Sequence, residues 1–124
     1  MEKNNILITG AKGQLGRTLE HYWGDFGLAG NNELNLYDIG RLDLTIAGSV
    51  EKELNSLKPR TILNTAAYTS VDDAETDQDA AFAVNASAVA TLAGWAASND
   101  CFMVHISTDF VFDGNSNIPY IENQ

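Results

Sequence analysis

Three glycines spaced three apart, set directly behind a short apolar run, constrain this chain more than any other feature. Ile6-Leu7-Ile8 reads as a brief buried strand, and Thr9-Gly10-Ala11-Lys12-Gly13-Gln14-Leu15-Gly16 follows at once. Residues 14–23 then read as a helix, with Leu15, Leu19 and Tyr22 or Trp23 along one stripe. A strand that runs into glycines and turns straight into a helix is the arrangement a dinucleotide pyrophosphate requires. Gly10 allows the tight turn. Gly13 lets the backbone approach phosphate with no Cβ in the way, and Gly16 lets the helix pack close to the sheet. The spacing alone is a weak signal, because glycine is common in turns; its place between strand and helix carries the reading.

The rest of the chain continues the alternation. Residues 32–38 read as a second strand, and residues 46–57 as a helix with Val50, Leu54 and Leu57 on one face, closed by Pro59. Residues 60–65 hold a third strand around Thr61-Ile62-Leu63. Residues 79–99 form a long alanine-rich helix, and residues 102–107 a fourth strand. The order β-α-β-α-β-α-β predicts an α/β fold, a Rossmann-type doubly wound parallel sheet with right-handed crossovers and helices on both faces. Its continuous apolar strands predict a sheet buried on both sides. One domain over residues 1–124 is expected. The acidic stretch 72–77 reads as a solvated loop leading to a helix N-terminus, where the helix dipole favours carboxylates.

Asp38 ends the second strand, where a carboxylate can accept hydrogen bonds from adenosine ribose hydroxyls, which favours NAD. Lys12 and Arg41 are nearby cations suited to a 2′-phosphate. The cofactor expected is therefore NADP or NAD, with the choice open.

A net charge of −10, with only 7 Lys and Arg, argues against a nucleic-acid partner and against an anionic membrane surface. An anionic ligand stays possible, because helix N-terminal amides bind phosphate without side-chain charge. No apolar run approaches the ~20 residues of a membrane span, and no basic, apolar leader precedes Ile6. The single cysteine, Cys101, suits a reducing compartment and reads as a core or near-core residue. A cytoplasmic protein is the expectation. No metal site is assigned. His105, inside the fourth strand, reads as a buried, hydrogen-bonded residue, and His21 as a solvated one.

Thr9 to Gly16 resembles the T-G-x-x-G-x-x-G loop of extended short-chain dehydrogenase/reductases. Three further segments narrow the resemblance to the dTDP-4-dehydrorhamnose reductases of that family. Leu42-Asp43-Leu44-Thr45 looks like their adenine-side segment. The stretch from Asn64 to Glu75 is similar to their N-A-A-A-x-T-x-V-D-x-A-E. The stretch from His105 to Gly114 resembles their H-x-S-T-D-Y-V-F-D-G. Thr65 stands where the family usually has alanine. Phe110 stands where tyrosine is usual, which removes a hydroxyl.

The resemblance implies a role for each matching position. Gly13, Gln14 and Leu15 would lie on the pyrophosphate, Asp38 on the ribose, and Asp43 and Leu44 about the adenine. Ala67, Tyr68 and Thr69 would line the cofactor, with Ile106 near the nicotinamide. Thr108 would hold the catalytic hydroxyl position, and Asp109 and Val71 would join it in facing substrate. Asn85 would reach the active site from behind on its helix, with a role on the helix surface as the alternative. The partner implied is a nucleotide sugar, reduced at its C4 ketone on the way to dTDP-rhamnose and cell-surface polysaccharide. A homodimer is left open. The family's proton donor is the tyrosine of a Y-x-x-x-K pair, whose lysine lowers the tyrosine pKa. Tyr22, Tyr37, Tyr68 and Tyr120 are followed four residues on by Phe26, Arg41, Asp72 and Gln124, so no such pair is present. The chain therefore reads as the N-terminal portion of a reductase, expected to bind a dinucleotide weakly at most and to be inactive alone. Two other readings compete: a non-catalytic dinucleotide-binding regulatory module, and a sugar-nucleotide epimerase or dehydratase.

Overall fold

The computed structural model describes residues 3–123; Met1, Glu2 and Gln124, which enter the sequence reading of the two ends, lie outside the described residues. Four strands form one sheet: β1 (Asn4–Thr9), β2 (Asn32–Tyr37), β3 (Thr61–Asn64) and β4 (Phe102–His105). All pairings are parallel and the order is β2-β1-β3-β4. The expected doubly wound architecture is therefore present.

Helices cover both faces. The first is α1 (Gln14–Tyr22), whose Leu19 packs with Trp23 against Ile6 and Ile8. On the opposite face, α2 (Ala47–Leu57) supplies Val50 and Leu54, and α5 (Ala88–Ser98) supplies Leu92, Trp95 and Ala96, against Leu7 and Ile62. Successive side chains of β1 thus feed opposite cores, as strand alternation requires. Trp95 spends its indole N–H on Asn55 at 2.8 Å, joining α5 to α2. α2 stops where Lys58 takes a left-handed backbone, φ 49°, and Pro59 follows.

Several expectations need correcting. Of residues 72–77, read as a solvated loop, all but the last belong to a short helix α3 (Val71–Thr76), and Asp77 caps α4 (Gln78–Phe82) by accepting from the Ala80 N–H at 3.2 Å. Six residues carry too little apolar periodicity to announce a helix. The long helix is interrupted by a π turn, Ala83–Ser87, before α5. Taken together, Gln78–Ser98 is a 21-residue run long and apolar enough to cross a membrane, contrary to the expectation that none exists. Its apolar side is spent on the core through Leu92, Trp95 and Ala96. β4 is not buried on both sides: Phe102 is 67% exposed, because the core beneath α1 draws on β1, β2 and Leu63 of β3 but on no residue of β4. Asp38 lies one residue past β2 rather than within it.

The topology places a site. From β1 the chain winds to one side to lay down β2, then returns past β1 to lay down β3 on the other. At the β1/β3 boundary the connections leave in opposite directions, which opens a crevice beyond the carboxyl ends of the strands.

Candidate functional site

A cleft of about 1100 Å³ occupies that crevice. Four connections wall it. The turn into α1 gives Gly10, Gly13, Gln14 and Leu15. The segment after β2 gives Asp38, Asp43 and Leu44, the segment after β3 gives Ala67, Tyr68 and Thr69, and the segment after β4 gives Ile106, Thr108 and Asp109. Residues up to a hundred positions apart meet because each follows a parallel strand. Gly16 and Val71 do not line the cleft. Val71 opens α3 and is about half exposed.

α1 begins at Gly13 with no side-chain cap, so its first-turn N–H groups have no acceptor from a capping side chain. A Cβ on Gly13 would have one neighbour, the Gly10 carbonyl oxygen at 3.2 Å. Uncapped amides and an open approach suit a bound anion. Gly16 is buried, and a Cβ there would stand 2.7 Å from the Ala11 Cα and overlap the Gly10 carbonyl oxygen. Its smallness packs the helix onto its own loop, rather than onto the sheet as expected.

Lys12 and Asp38 form an ion pair at 2.5 Å on the cleft wall. The Lys12 ammonium, and then the Arg41 backbone N–H at 3.1 Å, hold the Asp38 carboxyl below its ordinary range. Asp43 is lowered too, because one carboxylate oxygen accepts both the Thr45 hydroxyl at 2.6 Å and the Thr45 N–H at 2.9 Å. Arg41 is tethered: it donates to the Tyr37 hydroxyl at 3.1 Å, lies 4.2 Å over the Tyr37 ring, and stands 3.9 Å from Glu53. Burial, and then the hydrogen bond to Glu53, raise the Tyr37 pKa. Tyr37 and Arg41, the nearest sequence approach to Y-x-x-x-K, are thus the reverse of an activated tyrosine.

Beneath the cleft a polar chain crosses three strands. The buried Thr9 hydroxyl donates to Asn64 Oδ1 at 2.6 Å, and Asn64 Nδ2 lies 3.0 Å from His105 Nδ1. Asn64 therefore donates, and His105 Nδ1 accepts, leaving the proton on Nε2. His105 is hydrogen-bonded as expected but exposed rather than buried, because β4 is an edge strand with an open side. Cys101 is partly buried against the core, and burial raises its thiol pKa, as suits a packing residue.

Two contacts are invisible to sequence spacing. Thr65, the departure from the family pattern, donates its hydroxyl to the Thr9 carbonyl at 2.7 Å and so ties the two loops of the crevice together. Asn85, on the π turn, accepts from the Tyr68 N–H at 2.8 Å and donates to the Tyr68 carbonyl at 3.2 Å. It grips the cleft wall from behind. The Thr108 hydroxyl accepts from the Phe110 N–H and donates to Asp109, each at 3.3 Å. Phe110 points its ring into solvent.

The family model described as RmlD substrate binding domain matches residues 4–124. The dTDP-4-dehydrorhamnose reductase of Aggregatibacter actinomycetemcomitans is 43% identical over 117 residues, which span 94% of this chain and 39% of that protein. A crystal structure of a dTDP-4-dehydrorhamnose reductase from Clostridium acetobutylicum superposes with a TM-score of 0.88 at 40% identity, covering 97% of this chain and 41% of that one. A second, from Bacillus anthracis in complex with NADP, gives 0.82 at 32% identity over 94% of this chain and 40% of that one. This chain thus spans about two fifths of the relatives it matches. With its parallel sheet, glycine turn and family match over nearly every residue, the chain belongs to the RmlD family, that of the dTDP-4-dehydrorhamnose reductases.

Proposed function

We propose that this chain is the nucleotide-binding front portion of a sugar-nucleotide reductase. The whole protein would use NADPH or NADH to reduce the C4 ketone of dTDP-4-dehydrorhamnose or a similar deoxysugar nucleotide, in the cytoplasmic biosynthesis of dTDP-rhamnose and cell-surface polysaccharide. One observation carries this reading: the uncapped start of α1 and Thr108 line a single cleft at the strand-order switch. The NADP held by the Bacillus anthracis relative supports it.

The residues present fit a dinucleotide. Gln14 and Leu15 offer backbone donors to the pyrophosphate, Gly13 lets it approach them, and Gly10 and Gly16 shape the turn. Asp38 accepts from the adenosine ribose, and Asp43 and Leu44 flank the adenine. Ala67, Tyr68 and Thr69 line the path to Ile106, beside the nicotinamide. The bound cofactor supplies a hydride. Thr108 hydrogen-bonds the reacting oxygen, its own oxygen oriented by the Phe110 N–H. Asp109 faces the sugar, and Val71 meets the part of the substrate that projects past the cleft wall. The tyrosine of a Y-x-x-x-K pair is not among these residues, so the 124-residue chain binds cofactor without turnover.

Calorimetric titration of the chain with NADPH tests the reading. Saturable binding at one site is expected. A chain that is folded by circular dichroism yet produces no binding heat with either NADPH or NADH overturns it.

A further inference from the structure

Resting on that dinucleotide reading, we infer that Thr65 is a positioning residue for the phosphate end of the site: its hydroxyl holds the glycine turn in the conformation that presents the start of α1 to a diphosphate. Thr65 follows β3 directly and lines the cleft. Its Oγ1 lies 2.7 Å from the Thr9 carbonyl oxygen and 3.3 Å from the Gly10 carbonyl oxygen. One proton is thus shared between two consecutive carbonyls of the facing loop. In an extended strand, successive carbonyls point to opposite edges. These two converge on one side chain because the backbone turns at Gly10, where φ is +68°. The hydroxyl meets both acceptors only in the turned state.

The start of α1 hangs on that turn. The Gly10 carbonyl also accepts the Gly13 N–H at 2.9 Å, which closes the bend. Gly13 is where α1 begins, and its own carbonyl accepts the Arg17 N–H at 3.0 Å. A shift of the Gly10 carbonyl would therefore carry with it Gly13 and the amides of Gln14 and Leu15 that follow. Glycine supplies little restraint of its own, since it loses more conformational freedom on ordering than any other residue. The restraint comes from across the crevice. Thr65 is β-branched and stiff at χ1, so the strand end aims its hydroxyl. Its backbone N–H reaches the same Thr9 carbonyl at 3.3 Å, which fixes that aim. An alanine at this position would keep the N–H contact and lose the hydroxyl. The turn would then be ordered by the ligand, at the expense of affinity.

The test is calorimetric titration of NADPH into the wild type, Thr65→Ala, Thr65→Val and Thr65→Ser, each shown to be folded by circular dichroism. Hydrogen exchange at the Gly13 amide is followed in parallel. The alanine and valine variants are expected to bind NADPH about fivefold more weakly and to exchange the Gly13 amide about fivefold faster. Exchange at the Ile8 and Ile62 amides is expected to stay at its wild-type rate. Thr65→Ser, which restores the hydroxyl, is expected to recover both affinity and protection. Wild-type affinity in Thr65→Ala, or an equal loss in Thr65→Ser, removes the hydroxyl from cofactor binding and overturns the inference. Faster exchange at Ile8 and Ile62 as well as Gly13 also overturns it, by reducing Thr65 to a contributor to general stability. In all three cases the wild type still binds and the cleft reading stands. A folded wild type that binds neither NADPH nor NADH overturns the cleft reading itself, and this inference with it.

Discussion

Gly10 and Ala66 meet backbone to backbone: a Cβ built on Gly10 would stand 2.6 Å from the Ala66 amide nitrogen. The contact closes the floor of the crevice, where the ends of β1 and β3 run side by side. Gly10 also holds a left-handed backbone, φ +68°. Gly10→Ala is therefore expected to lower stability by about 1–2 kcal/mol from the backbone alone, with the overlap adding to it. Urea denaturation measures this, and an unchanged midpoint would show that the loops can part freely.

Gly13 makes a contrasting case. Its φ of −72° suits any residue, and a Cβ there would have only the Gly10 oxygen to displace. Gly13→Val is expected to leave the fold in place and to abolish NADPH binding by blocking the approach to the α1 amides. Calorimetry checks the binding and circular dichroism the fold. Wild-type affinity in the variant would move the phosphate site elsewhere.

Asn64 is fully buried between Thr9 and His105. Asn64→Leu leaves the Thr9 hydroxyl without its acceptor, at an expected cost of about 1–3 kcal/mol. In the wild type, nitrogen chemical shifts of the His105 ring should report the Nε2–H form. The Nδ1–H form would reverse the direction of the chain of hydrogen bonds.

Asn85 satisfies both backbone polar groups of Tyr68, its N–H and its C=O. Asn85→Ala is expected to speed hydrogen exchange at the Tyr68 amide by about tenfold and to weaken NADPH binding severalfold. Unchanged exchange at that amide would mean the wall stands without its clamp.

The Asp38 and Asp43 carboxyls are held below their ordinary value of 3.8 by Lys12 and by Thr45 respectively. Each folded-state pKa is lower than its unfolded one. The stabilisation is therefore present above the unfolded value and is lost as pH falls through the folded value. The urea midpoint should be flat near neutrality and decline once pH drops below about 4. Asp43→Asn should flatten part of that decline, and an equally steep fall in the variant would show that Thr45 does not favour the Asp43 carboxylate.

Much of this fold could be read along the chain. Ile6-Leu7-Ile8 followed by Gly10, Gly13 and Gly16 marks strand, turn and helix through its order along the chain, since glycine suits a bend and a close approach. The cleft walls were legible for a related reason: ligands gather past strand ends, and each wall segment follows a strand. What escaped was whatever depends on neighbours distant in sequence. The exposure of Phe102 and His105 depends on which helix covers β4, a question of layout rather than residue type. The role of Thr65 depends on β1 lying beside β3. The π turn is silent because Ala83, Val84 and Ala86 suit an ordinary helix equally well.

That extra-wide turn has a consequence of its own. A residue more per turn shifts the phase of everything behind it by about 100°. Within that turn, Asn85 is aimed at the backbone of the cleft wall; behind it, Leu92 and Trp95 are aimed at the interior. Two jobs with incompatible angular settings are thereby carried by one continuous rod, and side chains on its leading end can be exchanged to reshape the mouth of the site while the trailing end keeps its grip on the sheet.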